Sequence, residues 1–455
     1  MASMELKNKR VLVVGLGKSG LSAAMFLRGL GARVTVSDTR SAVALAEQIP
    51  ALLDAGIMVE SGGHGLLTFR RQDLIVVSPG VSLDTPEVKQ VIGYGLPVIG
   101  ELELASRFLR GGIIAVTGSN GKTTTTTLIG KIFADAGTPT QVGGNIGLPV
   151  IELVAQSTAE TVNVLEVSSF QLETTEQFHP RIAIILNITP DHLDRHGSFE
   201  RYVAAKEKIF ANQTAQDALV LNADDRTTQM CAGRTKANVY WFSATKVVRQ
   251  GTFVRDGVVC WIEREGGVAE PILPVSEIGL KGRHNVENVL AAVCAARLST
   301  IPAEAIRASV PSFKTVEHRL EYVRTVAGVE FYNDSKATNV DAAIKAVSSF
   351  PGCIHLILGG KDKDSDYTQM GGLLGERVKF VYTIGSAAEK IERQLHGMVK
   401  MVQAGTLDKA VAQAAKAATA GDVVLLAPAC SSFDQFENYE HRGRVFRQLV
   451  MGLPG

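Results

Sequence analysis

The stretch Thr117-Gly118-Ser119-Asn120-Gly121-Lys122-Thr123-Thr124 carries residue types suited to handling phosphate. Ile113 to Val116 precede it as an apolar run that reads as a buried strand, and a helix follows. A glycine turn between strand and helix gathers backbone N–H groups around one point, and the helix adds the positive end of its dipole. Lys122 can then reach outer phosphate oxygens, and the Thr123 hydroxyl can bind Mg²⁺. The motif is not a full Walker A, because Val116 stands where that pattern has its first glycine. The bland alternative is a turn that only joins strand to helix. The run Thr123 to Thr127 argues against it: β-branched residues make a poor first helical turn, so the hydroxyls have another use there.

Further candidates follow downstream. Gly143-Gly144-Asn145-Ile146-Gly147 is a loop able to approach a ligand closely. Glu166 lies inside the apolar run Val162 to Val167, where a lone carboxylate is costly unless paired or bound to metal. His192 follows a proline turn after the strand Ile182 to Leu186. Lys206 and Lys208 sit on a helix over 199–211 and read as solvated by spacing alone. Asn285 and Asn288, three apart on one helix face, could read a purine edge or simply cap the helix.

These residues hang on a recurring scaffold. Residues 10–15 form a strand ending in Gly15-Leu16-Gly17-Lys18-Ser19-Gly20, with a helix next and a second strand ending at Asp38-Thr39-Arg40. This is a Rossmann-type opening with an acid about twenty residues on, which taken alone suggests NAD. The weaker reading is a diphosphate at the glycines and a nucleoside reaching Thr39 and Arg40. Leu74–Ser78 runs into Ser78-Pro79-Gly80 at the same edge. A boundary falls at Pro97 to Glu101. Residues 251–273 alternate weakly, as an antiparallel excursion would. Beyond Val316, buried strands end in Asn333-Asp334-Ser335-Lys336, Gly359-Gly360-Lys361-Asp362-Lys363 and Ala427 to Phe436, the pattern of another doubly wound sheet.

Composition sets the limits. The length of 455 residues suits about three domains. Acids and bases nearly cancel at a formal charge of +1, so no basic stripe points to nucleic acid. No apolar stretch has spanning length and no secretory pattern is evident, which leads to an expectation of a cytoplasmic protein without membrane partners. Cys231, Cys260, Cys294, Cys353 and Cys430 lack metal spacing and read as reduced, mostly buried thiols.

Taken together, the segments TGSNGKTTT, GGNIG, EVSSFQLE, NITPDHLDRH, YVAAKEKIF, GRHNVENV, EHRLE, NDSKATN, GGKDK and APACSSFDQF resemble the Mur ligase family, in order and across the whole chain. These are ATP-dependent amide-bond ligases that build the peptide of bacterial peptidoglycan. GLGKSG, NDSKATN and SSFDQF resemble most closely the member that adds D-glutamate to UDP-N-acetylmuramoyl-L-alanine. The resemblance implies three α/β domains: a Rossmann-like UDP domain over 1–100, a central P-loop ATPase-like domain with a mostly parallel sheet over 101–315, and a Rossmann-like amino-acid domain over 316–455. It implies an acyl-phosphate mechanism with ATP, two Mg²⁺ sites and a monomeric enzyme.

The resemblance also implies roles. Gly118, Ser119, Asn120, Gly121, Lys122, Thr123 and Thr124 would hold the ATP phosphates, Asn285 and Asn288 adenine, Asp334 the ribose, and Arg319 and Lys336 the phosphates again. Thr123 and Glu166 would bind the first metal. His192 and Lys206 would bind the second, with Lys206 N-carboxylated. Gly17, Lys18, Ser19, Thr39, Arg40, Ser78, Gly80 and Asn145 would hold the UDP substrate. Thr338, Lys363, Ser432 and Tyr439 would hold D-glutamate, with Lys361 an alternative to Lys363 and Tyr439 standing where the family can have Phe. The rival readings are another Mur ligase or a folylpolyglutamate synthase, an NAD-dependent oxidoreductase, and a non-catalytic nucleotide-binding module. A nicotinamide enzyme has no use for Lys122 and Thr123 beside Glu166 and His192.

Overall fold

The structure, a computed structural model, describes residues 4–280, 282–314 and 317–454. Three sheets divide the chain. In the first, strands Met58–Ser61, Arg33–Asp38, Arg10–Val14, Leu74–Val77 and Val98–Gly100 lie side by side in that order, all parallel. The order reverses between Arg10–Val14 and Leu74–Val77. Their carboxyl ends therefore form the crevice where such sheets take ligands.

The central sheet has nine strands. Strand Gly112–Thr117 sits between Ile182–Ile185 and Val162–Glu166, with Val116 opposite Glu166 and Thr117 opposite Ile185. That register brings the phosphate loop, Glu166 and the loop from Leu186 to one edge. The excursion expected over 251–273 is the pair of antiparallel additions Val258–Ile262 and Glu270–Pro274 on strand Gly251–Arg255. The third sheet has six strands, antiparallel only where Glu321–Val326 meets Val329–Asn333. Strand Val423–Leu426 lies between Val329–Asn333 and Ile354–Gly359, so the loops at 334, 360 and 427 again share an edge.

Branched apolar residues fill both faces of these parallel strands: Val11 to Val14, Ile114 to Val116 and Leu356 to Leu358 are all buried. Two acids at the start of helix Glu101–Ser106 knit the first sheet to the second. Glu101 accepts from the Ile151 N–H (2.7 Å), and Glu103 accepts from the N–H groups of Glu176, Gln177 and Phe178. The boundary expected at 315–316 falls on residues outside the described ones. Cys353 is exposed and the other four cysteines are buried. Among the described residues no helix is long and apolar enough to cross a membrane.

Candidate active site

Helix Lys122–Asp135 begins at Gly121, whose φ of +89° is left-handed. A Cβ there would lie 2.2 Å from Asn288 Oδ1, so only glycine fits. Asn187 shapes the loop from beneath, accepting from the Asn120 N–H through Oδ1 (2.8 Å) and donating to the Asn120 carbonyl (3.0 Å). The amides of the helix's first turn have no partner within the helix, as at any helix start. Thr124 Oγ1 is buried there with no partner among the described residues, which fits a loop built to receive phosphate oxygens. Of the threonine run, Thr123 bonds Glu166 and Thr127 lines a cleft. Thr124, Thr125 and Thr126 are buried, with hydroxyls that have no partner among the described residues.

Cations converge on this loop. Lys122 Nζ donates to the carbonyls of Gly118 (2.8 Å) and Ser119 (3.0 Å), and Lys206 Nζ donates to the same Gly118 carbonyl (2.8 Å). Lys206 is buried, 1% exposed, with its ammonium 4.6 Å over the Tyr202 ring. Burial, and then the charge of Lys122, pushes its pKa well below the ordinary lysine value. The solvated reading of Lys206 is thereby corrected: helix Phe199–Glu207 turns it inward. Lys208 is not free either, donating to the Glu173 carbonyl. Lys336 reaches across from the third domain to Thr123 Oγ1 and to Tyr439 Oη (3.2 Å), and burial lowers it to about 8.

Acids are fewer and committed. Glu166 accepts from Thr123 Oγ1 (2.7 Å) on one oxygen and from Asn145 Nδ2 (2.9 Å) on the other. A hydroxyl and a carboxylate are hard oxygen donors, the set Mg²⁺ takes. His192 is left-handed (φ +54°), packs edge-on against Phe170 and is pushed down to about 4 by burial, so it is a neutral ring at pH 7. Among the described residues no group of three or more His, Cys, Asp and Glu side chains stands close enough together to hold a metal ion.

A cleft of about 970 Å³ runs from the first domain to Thr123, Lys336 and Tyr439. Gly17, Lys18, Ser19, Thr39, Arg40, Ser78, Gly80 and Asn145 all line it. The acid of the Rossmann pattern is spent locally. Asp38 accepts from the Leu16 N–H (2.7 Å) and from the Arg40 N–H and guanidinium. Burial opposes its ionisation, but the bonds from Arg40 and Leu16 outweigh that and hold it at about 2. Neither oxygen is left over for a ribose, which removes the main support for NAD.

A second, narrow cavity lies across the loop, lined by Asn120, Gly121, Asn288, Arg319, Asp334 and Lys345. Asn285 adjoins it, accepting from Asn288 Nδ2 (3.1 Å). Asp334 is buried, pushed up to about 6 by that burial, with Oδ1 unpartnered among the described residues. The four residues expected to hold D-glutamate are not in one cavity. Tyr439 lines the main cleft, while Lys363 lines a third cavity of about 360 Å³ and pairs with Asp191 (3.3 Å). Thr338 and Ser432 line neither.

Sequence reading did not foresee the contacts that join the domains. Asn120 Nδ2 donates to Asp341 (2.6 Å), and Asn339 Nδ2 donates to Asp191 (2.9 Å). Asn339 had a legible signal, an N-cap residue before an apolar helix, and it does cap Val340–Ser348.

Comparison with known proteins adds to this geometry. Residues 9–100 match the model of the Mur ligase MurD-like N-terminal domain, 116–296 the Mur ligase middle domain, and 318–430 the Mur ligase glutamate ligase domain. A protein of Acidobacterium capsulatum named UDP-N-acetylmuramoylalanine–D-glutamate ligase is 67% identical over 452 residues, covering 99% of this chain and 98% of its own. The chain belongs to the Mur ligase family. A ligase of the same name from Koribacter versatilis is 58% identical over 98% of both chains. Among solved structures, the Mur ligases MurC and MurF of Thermotoga maritima, the latter in complex with ADP, each superpose with a TM-score of 0.60 at 19% identity. They cover 98% and 99% of this chain and 99% and 96% of their own, and at that identity they show the shared three-domain Mur ligase fold.

Proposed function

We propose that this chain ligates D-glutamate to UDP-N-acetylmuramoyl-L-alanine at the expense of ATP, releasing ADP and phosphate, in the cytoplasmic stage of peptidoglycan synthesis. One observation carries the reading: the cleft of the first domain opens directly onto Thr123 and Lys336 beside the phosphate loop. A diphosphate substrate lying along that cleft presents its far carboxylate to the γ-phosphate. Relatives named for this reaction align over the full chain.

The chemistry follows from charge. A carboxylate attacking a phosphoryl group brings two anions together, so the site needs cations rather than a strong base. Lys122 and Lys336 flank Thr123, and Arg319 lines the adjoining cavity. Mg²⁺, when bound, adds positive charge at the transferring phosphoryl group, and Thr123 with Glu166 has the oxygen donors to hold it. His192 and Lys206 would hold a second ion. Lys206 suits this once N-carboxylated: burial favours the uncharged amine, the form that takes up CO₂ with release of a proton, and the carbamate offers oxygens in place of a charge that repels metal. Attack by the substrate carboxylate gives an acyl phosphate, and attack by the amine of D-glutamate expels phosphate. Asn285, Asn288 and Asp334 are assigned to the nucleoside, and Lys363, Thr338, Ser432 and Tyr439 to D-glutamate after movement of the third domain. The functional units are 1–100, 101–315 and 316–455, acting as a monomer.

Phosphate release measured with UDP-N-acetylmuramoyl-L-alanine and a panel of amino acids tests this. Release is expected with D-glutamate alone. Release with another amino acid in its place overturns the assignment.

A further inference from the structure

We infer that His64 reads the pyrimidine base of the nucleotide in the first domain, donating from Nε2 to a ring carbonyl. This rests on the reading of that domain as the holder of a uridine diphosphate. His64 follows strand Met58–Ser61, and none of the motifs includes it. The loop that carries it is built to aim it. Gly62 and Gly63 have φ values of +83° and +153°, which favour glycine. Their N–H groups donate to the carbonyls of Arg40 (2.8 Å) and Asp38 (3.4 Å), so this loop and the Asp38–Arg40 loop form a single wall. His64 lines the cleft on that wall beside Thr39 and Arg40.

The ring is held on two sides. It packs edge-to-face on Phe69, with centroids 5.6 Å apart. Nδ1 lies 2.7 Å from Ser37 Oγ, whose other acceptor, the Gly63 carbonyl, is at 3.4 Å. Ser37 is fully buried. With the hydroxyl hydrogen assigned to the nearer atom, Nδ1, the imidazole hydrogen stands on Nε2. Nε2 has no partner among the described residues.

Strand order says which part of the nucleotide it meets. The glycine turn and the start of helix Lys18–Gly29 lie at the sheet's switch point and take the diphosphate. Thr39 and Arg40 are one strand farther out, at the ribose. His64 follows the outermost strand on that side, two strands from the phosphate turn, where a base would lie. An N–H donor there matches a uracil carbonyl and meets a like donor in the exocyclic amine of cytosine.

The test is calorimetry of UDP and CDP on the full chain. Wild type is expected to prefer UDP. His64→Ala should weaken UDP roughly 3- to 10-fold, the value of one neutral hydrogen bond, and change CDP little. His64→Gln, whose amide can donate, should recover part of the preference, and Ser37→Ala should lose part of it. Retained CDP binding in the variants shows the first domain intact, and unchanged ADP binding shows the rest of the chain intact. An identical UDP-to-CDP ratio in wild type and His64→Ala overturns the role of His64 alone. Absence of UDP binding to wild type overturns the reading of the domain and this inference with it.

Discussion

Glu101 makes a measurable commitment about pH. Its side chain is 1% exposed at the junction of the first two sheets. One oxygen accepts from the Ile151 N–H, and the other has no partner among the described residues. Burial pushes its carboxyl from an ordinary 4.5 up to about 7. Between those values the folded chain holds a proton that the unfolded chain has released, so stability is full below pH 4.5 and falls as pH rises towards 7. At about 1.4 kcal/mol per pH unit, the difference amounts to about 3 kcal/mol. Glu101→Gln has no proton to lose. Its buried amide carries a penalty of its own, but that penalty is constant with pH. Urea unfolding from pH 4.5 to 8 should therefore show the variant gaining on wild type by about 3 kcal/mol across the range. Parallel curves would refute the burial argument.

Other outcomes follow from the same geometry. Lys206→Ala should abolish phosphate release, with a small added carboxylate partly restoring it, whereas Lys208→Ala should retain ligation; full activity of Lys206→Ala refutes the carbamate. Gly121→Ala forces a left-handed alanine against Asn288, and ADP binding should weaken at least tenfold by calorimetry. Lys363→Ala should raise the KM for D-glutamate roughly 10- to 100-fold with the KM for ATP nearly unchanged. The same result from Lys361→Ala instead moves the carboxylate contact to that residue.

Much of the scaffold was readable because glycine turns punctuate apolar runs of strand length, and each turn proved to sit at a sheet edge. The eight residues expected around the UDP substrate do share one cleft. What failed to read was long-range. The Lys206 spacing resembles that of any surface lysine, and only packing against Tyr202 and Gly118 shows it buried. Asp38 sits where a ribose ligand belongs, yet Arg40, two residues on, occupies it. His64 has no motif, since its aim depends on two glycines and a serine from another strand. The D-glutamate set is split because its members stand on different loops of the third domain, which open onto different cavities.

The narrow cavity beside the phosphate loop is walled by Gly121 and Asn288 on one side and by Asp334, Ala342 and Lys345 on the other. Asn120 and Asp341 tie those walls together. A nucleotide seated there is covered from both domains, so it cannot arrive after they close or depart before they part. The main cleft stays accessible along the first domain. On the proposed assignment of that cavity to the nucleotide, its loading precedes the descent of the third domain and its release follows the lifting of that domain.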